Sequence, residues 1–383
     1  MLCAATSFAQ LGADGYYRIQ NVTTQRYIYA TDGYGAPDYT GMDVDAGALK
    51  TCRIFDGVIN TEPGSIIYFQ KSNDGYNLLC QGISTYPIAN KELSIWDNGD
   101  GTYKAYGAKE GVSKYLRDII WDEAAIARGQ DDNYAEVTTG AANHKAANWY
   151  IIPVSSDNYL GIKPDVVAGT SYYRSYCVSF PFELGTGMQA FTITTVDESK
   201  GYAVYQELTG TIPAATPVFV KCTSAEPVNN KITITGTPVM SEKPIKSANN
   251  LLTGIYFCNF TDRFPHFDAV TYNAATMRVL GTTADGQLAF IKATDLKYIP
   301  ANSCYIEVSE SAPDTILIVD KIPEEPQPTA GDLDGDDVVN VSDLTIEVSY
   351  ILNSTYNENA DLDHDGKVDV SDLTILVNMI MNK

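Results

Sequence analysis

Two runs of alternating aspartates lie near the end of the chain, and their spacing suits the wrapping of a hard cation by oxygen. In the first, Asp332, Asp334 and Asp336 hold positions one, three and five of a twelve-residue stretch that ends on Asp343. In the second, Asp361, Asp363 and Asp365 hold those places before Asp372. A calcium ion takes about six to eight oxygen ligands, and alternate carboxylates with a closing one at the twelfth residue let a short backbone supply them. The seventh residue, Val338 or Lys367, offers its carbonyl, and the ninth, Asn340 or Asp369, acts through water. Two Ca²⁺ sites are expected. The sixth position, where the turn needs a positive φ, is Gly366 in the second loop but Asp337 in the first. Aspartate enters the left-handed region more readily than most residues, so the expected cost is about 1 kcal/mol and a weaker first site. A solvated acidic turn without metal is the rival reading, and recurrence in register argues against it.

The elements that position these carboxylates repeat with them. Asp332 to Asn353 recurs as Asp361 to Asn382, 29 residues on, with 14 of 22 positions identical. Behind the first loop Leu344, Val348, Ile351 and Leu352 fall at i, i+4, i+7 and i+8, and Leu373, Val377, Ile380 and Met381 repeat the stripe. That period predicts two amphipathic helices packed through these faces. A second apolar pair remains on each, Ile346 with Tyr350 and Ile375 with Met379. A module this small cannot bury both faces, so the surplus either meets another protein or packs back on the rest of the chain.

With Asp332-Leu-Asp-Gly-Asp…Val-Ser-Asp343-Leu and Asp361-Leu-Asp-His-Asp-Gly…Val-Ser-Asp372-Leu, residues 330–383 resemble a dockerin, the duplicated calcium-binding module that docks secreted proteins onto cohesin domains. The resemblance covers about one seventh of the chain and implies a cohesin-like partner. It implies partner contacts at loop positions ten and eleven, Val341-Ser342 and Val370-Ser371, and on the outer helix positions Ile346, Tyr350, Ile375 and Met379. The loop pairs are identical in the two copies, which resembles the family's docking in two orientations related by half a turn. The flanking pairs Val348-Ser349 and Val377-Asn378 are more apolar than is common in cellulosomal members.

Length and charge bound the remainder. A chain of 383 residues predicts two to four domains. The net charge of −22 is concentrated, since residues 330–383 hold 12 acids and 2 bases, about −10 of it. This charge argues against nucleic acid and anionic membrane surfaces as partners, and no run is long enough to span a bilayer. Leu2 to Phe8, with Ser7-Phe8-Ala9 before Gln10, reads as the remnant of a signal peptide over 1–9 and predicts a secreted or cell-surface protein. The six cysteines after it, Cys52, Cys80, Cys177, Cys222, Cys258 and Cys304, show no CxxC spacing, so no metal or redox site is expected. Buried reduced thiols or one disulfide both fit.

The fold class expected is mainly β and multi-domain: a trefoil-like domain over 10–156, a β-sandwich over 157–320, a Pro-rich linker over 321–329 and the small helical module over 330–383. In the first segment Gly15-Tyr-Tyr-Arg-Ile-Gln-Asn, Gly64-Ser-Ile-Ile-Tyr-Phe-Gln and Gly101-Thr-Tyr-Lys-Ala-Tyr open three similar units, each continued by a second strand after a polar turn. Together with Trp149-Tyr-Ile-Ile-Pro they resemble the β-trefoil of ricin-like lectins, although the Gln-x-Trp of sugar-binding members is absent. That resemblance implies a glycan ligand. The second segment has longer strands rich in threonine and valine, and it repeats a phrase, Ile212-Pro-Ala and Ile299-Pro-Ala, each before a strand. It resembles an accessory β-sandwich module of secreted Bacteroidetes proteins. Lys321-Ile-Pro-Glu-Glu-Pro-Gln-Pro-Thr329 reads as an extended spacer.

Catalytic constellations are sparse. The three histidines, His144, His266 and His364, belong to no triad or zinc motif, and no nucleophile elbow or phosphate loop occurs. A glycosidase needs only two facing carboxylates. Asp122-Glu123 and Asp131-Asp132 are adjacent in sequence and read better as solvated loop acids. The reading is thus a secreted, noncatalytic, calcium-binding docking protein. Its rivals are a docking glycoside hydrolase or accessory protein in polysaccharide catabolism, and a module that clasps its own β-domains.

Overall fold

The computed structural model describes residues 11, 14–29, 49–55, 60–72, 75–79, 94–109, 112–118, 134–138, 145–239, 245–255, 270–323 and 329–382. The expected signal remnant, the linker core over 324–328, the two acidic pairs, His144, His266, Cys80, Cys258 and the side chain of Cys52 lie outside them. The chain forms two compact units, Met1–Ile322 and Pro323–Lys383. It is mostly β, with two curled sheets and two C-terminal helices. Among the described residues no helix is long and apolar enough to cross a membrane.

Ten strands make the first sheet: β1 (Gly15–Asn21), β2 (Tyr27–Tyr29), β3 (Leu49–Phe55), β4 (Ile67–Lys71), β5 (Tyr76–Leu79), β6 (Ser94–Asp97), β7 (Tyr103–Lys109), β8 (Val112–Asp118), β9 (Tyr134–Thr138) and β10 (Trp149–Pro153). Pairing runs β10-β7-β8-β9-β3-β2-β1, and β1 then pairs with β10, so the sheet closes into a ring. The β4–β5 hairpin hangs from β1, and β6 pairs with β7. Closure removes the exposed edge that an open sheet would leave. Alternating residues fill the inside, among them Ile19, Ile28, Phe69, Leu78, Leu116 and Trp149. The buried indole N–H of Trp149 donates to the Leu116 carbonyl at 3.0 Å, which meets its need for a partner.

Among the described residues the second segment contains one eleven-stranded sheet and a three-stranded one. The larger sheet is antiparallel except where Tyr202–Leu208 runs parallel to Thr315–Val319. It curls on itself, so that Phe191, Ile193 and Phe219 from one half pack with Leu252, Phe290 and Ile306 from the other. One curled sheet thereby buries a core as two facing sheets would. The repeated Ile-Pro-Ala phrase has a common geometry: Ile212 and Ile299 are both buried. The residue after each phrase, Ala215 or Asn302, turns into the left-handed region at φ 63° or 55°. Strands Val218–Cys222 and Ser303–Glu307 follow.

Ring and curled sheet share packing. Ile66 of the first segment joins the core of Leu160, Val178, Phe182 and Val220, with Tyr16 against it. Arg18 is fully buried on β1, where its guanidinium donates to the Ser65 hydroxyl, the Asn158 carbonyl and side chain, and the Tyr159 carbonyl. Among the described residues no carboxylate pairs with it, and burial lowers its pKa to about 10, so neutral oxygens carry its solvation. Cys177, Cys222 and Cys304 are free buried thiols, and burial pushes Cys222 and Cys304 up to about 12.

Candidate metal centre

The second compact unit carries both aspartate loops, each leading into a helix, α1 (Val341–Asn353) and α2 (Val370–Met381). Both helices start the same way. Asn340 and Asp369 are N-caps whose side chains accept from the Ser342 and Ser371 N–H groups at 2.7 and 2.8 Å. Asp343 and Asp372, three residues on, accept back from the cap N–H groups at 2.7 and 2.8 Å. This reciprocal box satisfies helix-end donors and aims the closing carboxylate of each loop inward. Asn-x-x-Asp and Asp-x-x-Asp ahead of an apolar run are the signal for it, and reading the loops only for ligands passes over that second role.

The closing aspartates anchor the loop starts as well. One Asp343 oxygen accepts from Leu333 and Asp334 at 2.7 and 3.2 Å, and Asp372 treats Leu362 and Asp363 likewise at 2.8 and 3.1 Å. Asp332 receives Gly335 and Asp337, and Asp361 receives Asp365 and Gly366. Asp332, Asp343, Asp361 and Asp372 are buried, while Asp334, Asp336, Asp363 and Asp365 are exposed at the rim.

Each loop gathers carboxylate oxygens within 4.8 Å of one another, from Asp332, Asp334 and Asp336 in the first and from Asp361, Asp363 and Asp372 in the second. The donors are hard oxygens throughout, which suits calcium over softer metals. The Val338 carbonyl accepts from the Asn340 amide at 3.0 Å. Partial loss of hydration among the crowded loop atoms, and after it the neighbouring aspartates, raise the pKa of the exposed Asp334 and Asp363. Burial alone would raise Asp343 too, but N–H donors from Asn340, Leu333 and Asp334 outweigh it and hold that carboxyl low. A bound Ca²⁺ would relieve the crowding at the rim positions, where no hydrogen-bond donor can cancel a whole charge.

Left-handed residues recur at two places per loop. Position six is Asp337 at φ 65° and Gly366 at 86°. Position four, which the spacing rule does not mark, is Gly335 at 76° and His364 at 59°. Each loop therefore bears one strained side chain, at opposite places. Replacing Asp337 with glycine should tighten first-loop calcium binding about five-fold, as roughly 1 kcal/mol of strain is removed. Calorimetric titration of the full chain checks it.

The helix faces differ from the periodic expectation. Leu352 and Met381 are each 78% exposed and Val348 is 39% exposed, although the stripe puts them between the helices. The buried positions are instead Asp343 and Glu347 on α1 and Asp372 and Leu376 on α2. Leu344, Ile351, Leu373, Val377 and Ile380 of the stripe are half-buried, so the packed face combines part of the stripe with the inward closing aspartates. Ile346, Tyr350, Ile375 and Met379 are half-buried. Val341 and Val370 are each 66% exposed beside the exposed Ser342 and Ser371.

Residues 330–381 match the family model described as Dockerin type I domain. No curated protein matches the chain. Among solved structures, one titled "Structure and mode of action of a mosquitocidal holotoxin" aligns over 78% of this chain and 34% of that one, at 8% identity and a TM-score of 0.26. The chain thus spans about a third of that protein's length, and a superposition this loose supports no statement about fold. The loops, the capped helices and the family match agree: the C-terminal module is a dockerin, a calcium-binding domain built for docking to cohesin.

Proposed function

We propose that this protein is a secreted or cell-surface, noncatalytic docking protein whose C-terminal module binds two Ca²⁺ ions and attaches it to a cohesin-like partner. The observation that carries this reading is the duplicated loop and capped helix, with the same inward aspartate and the same exposed valine in each copy. In this reading Asp332, Asp334, Asp336, Val338, Asn340 and Asp343 hold one ion. Asp361, Asp363, Asp365, Lys367, Asp369 and Asp372 hold the other, with Val338 and Lys367 acting through carbonyls. Val341, Ser342, Ile346, Tyr350, Val370, Ser371, Ile375 and Met379 form the partner face, to which the exposed Leu352 and Met381 add apolar area. The ring over 10–156 serves as a trefoil-like glycan-binding module, and the curled sheet over 157–320 spaces it from the linker and the dockerin. The pairing of first with last strand supports a trefoil-like closure.

The test is direct binding of the full chain to a panel of cohesin domains by surface plasmon resonance. Retention is expected in millimolar calcium and lost in chelator. A chain that ignores every cohesin in calcium, while protease mapping shows residues 330–383 shielded by the β-rich unit, would favour the clasp.

A further inference from the structure

One outward face of the ring gathers flat rings beside a cation. The register Trp96↔Lys104 and Ser94↔Tyr106 puts these four residues on one side of β6 and β7. Tyr106↔Tyr115 extends that side to β8, with the two rings 5.2 Å apart and tilted by 34°. The alternate residues Tyr103, Ala105 and Leu116 point the other way and are buried in the ring's core, with Ile95 packed against it. Trp96 is 61% exposed, and Tyr106 and Tyr115 are half-buried. Among the described residues no carboxylate pairs with Lys104, in a chain whose net charge is −22.

An indole largely in water gives up about 1 kcal/mol or more of burial and leaves its flat apolar face open to a ligand. Three rings offer far less than the roughly 1,000 Å² that a specific protein partner buries. They do match a sugar chain, whose pyranose rings present flat C–H faces between hydroxyl rims. Side chains two residues apart on a strand stand about 7 Å apart, which lets neighbouring rings meet one or two sugar units. The ammonium of Lys104, directly across from Trp96, selects a sugar that carries a carboxylate.

We propose that the face of Trp96, Lys104, Tyr106 and Tyr115 binds an anionic polysaccharide containing uronic acid, which rests on the reading of the ring as a glycan-binding module. Trp96 and the tyrosines stack on sugar faces, and Lys104 pairs with the uronate.

The experiment uses the full chain in calcium, with polygalacturonate as the probe and a neutral β-glucan as comparison, in affinity electrophoresis at low and high salt. Trp96→Ala should weaken retention on polygalacturonate at least ten-fold. Lys104→Gln should weaken it at least three-fold and flatten its salt dependence. Both positions face outward, so unchanged thermal midpoints establish that the variants fold. If Trp96→Ala binds polygalacturonate as the parent does, this site is wrong and the glycan reading stands. Equal retention of the parent on both polymers overturns the uronate assignment. No retention on either polymer overturns the uronate-binding site.

Discussion

Adding chelator to the full chain is expected to unfold residues 330–383 and leave the β-rich unit intact. The module's carboxylates crowd within 4.8 Å in both loops, and its charge of about −10 falls in 54 residues. A domain of that size has little apolar core to offset such repulsion, and a structural metal is one of the usual supports. The interior itself is partly polar, because Asp343, Glu347 and Asp372 occupy the buried helix positions. With micromolar loops and millimolar calcium, ion binding contributes about 4 kcal/mol. Loss of that amount exceeds what a small module holds in reserve. Limited proteolysis with mass spectrometry reads the outcome: cleavage sites should appear in α1 and α2 on adding EDTA and vanish on restoring calcium, with none gained in the ring or the curled sheet. Protection of the C-terminal peptides in EDTA would sink the structural role of the ion.

Replacing Glu347 with leucine should stabilise the calcium-loaded module by about 2 kcal/mol at pH 8. Glu347 is fully buried, and neither of its carboxylate oxygens has a hydrogen-bond partner. Its counterpart 29 residues on is Leu376, also fully buried, which packs near Gly331 and Val339. Leucine at 347 would restore the symmetry of the repeat and remove an unpaired charge from the interior. Burial, and after it the negative charge of Asp372, raises the Glu347 carboxyl to about 7. The folded module therefore holds this proton more tightly than the unfolded chain does. The stability it contributes is full below the ordinary glutamate value, declines as pH rises towards about 7, and is gone above it. Thermal melts of the parent in saturating calcium should fall between pH 5.5 and 7.5, and the Glu347→Leu melts should lose that slope. A parallel decline in both proteins would assign the slope to other groups.

Much of the metal centre was legible in the residues, because a calcium loop is a local object whose ligands are fixed by counting along the backbone. The duplicated pattern from Asp332 and from Asp361 needed no tertiary information, and neither did the positive φ at position six. The helix faces were less legible. Period alone put Leu352 and Met381 inside with the rest of the stripe, whereas both are exposed and Asp343 and Asp372 are buried, which depends on how a loop closes. Glu347 was visible as the repeat's one exchange of an acid for an apolar residue, but its burial was not.

In the β-rich unit the turn signals and alternating runs located strands without naming their partners. Ring closure depends on pairs such as Tyr17 with Pro153, far apart in sequence, and no local pattern encodes them. The middle segment read as a β-sandwich from its long threonine- and valine-rich strands and the repeated Ile-Pro-Ala phrase, while the order in which those strands pair is written in no local pattern.

The position of Arg18 bears on the order of events during synthesis. Its strand emerges early, yet its acceptors lie at Ser65, Asn158 and Tyr159, and the last strand to flank β1 ends at Pro153. In a nascent chain shorter than that the guanidinium stays in water and the strand edge stays open, because the acceptors that would replace the water have not yet been made. Contacts so distant in sequence slow folding and lengthen exposure to aggregation, so the first strand made is among the last to be completed.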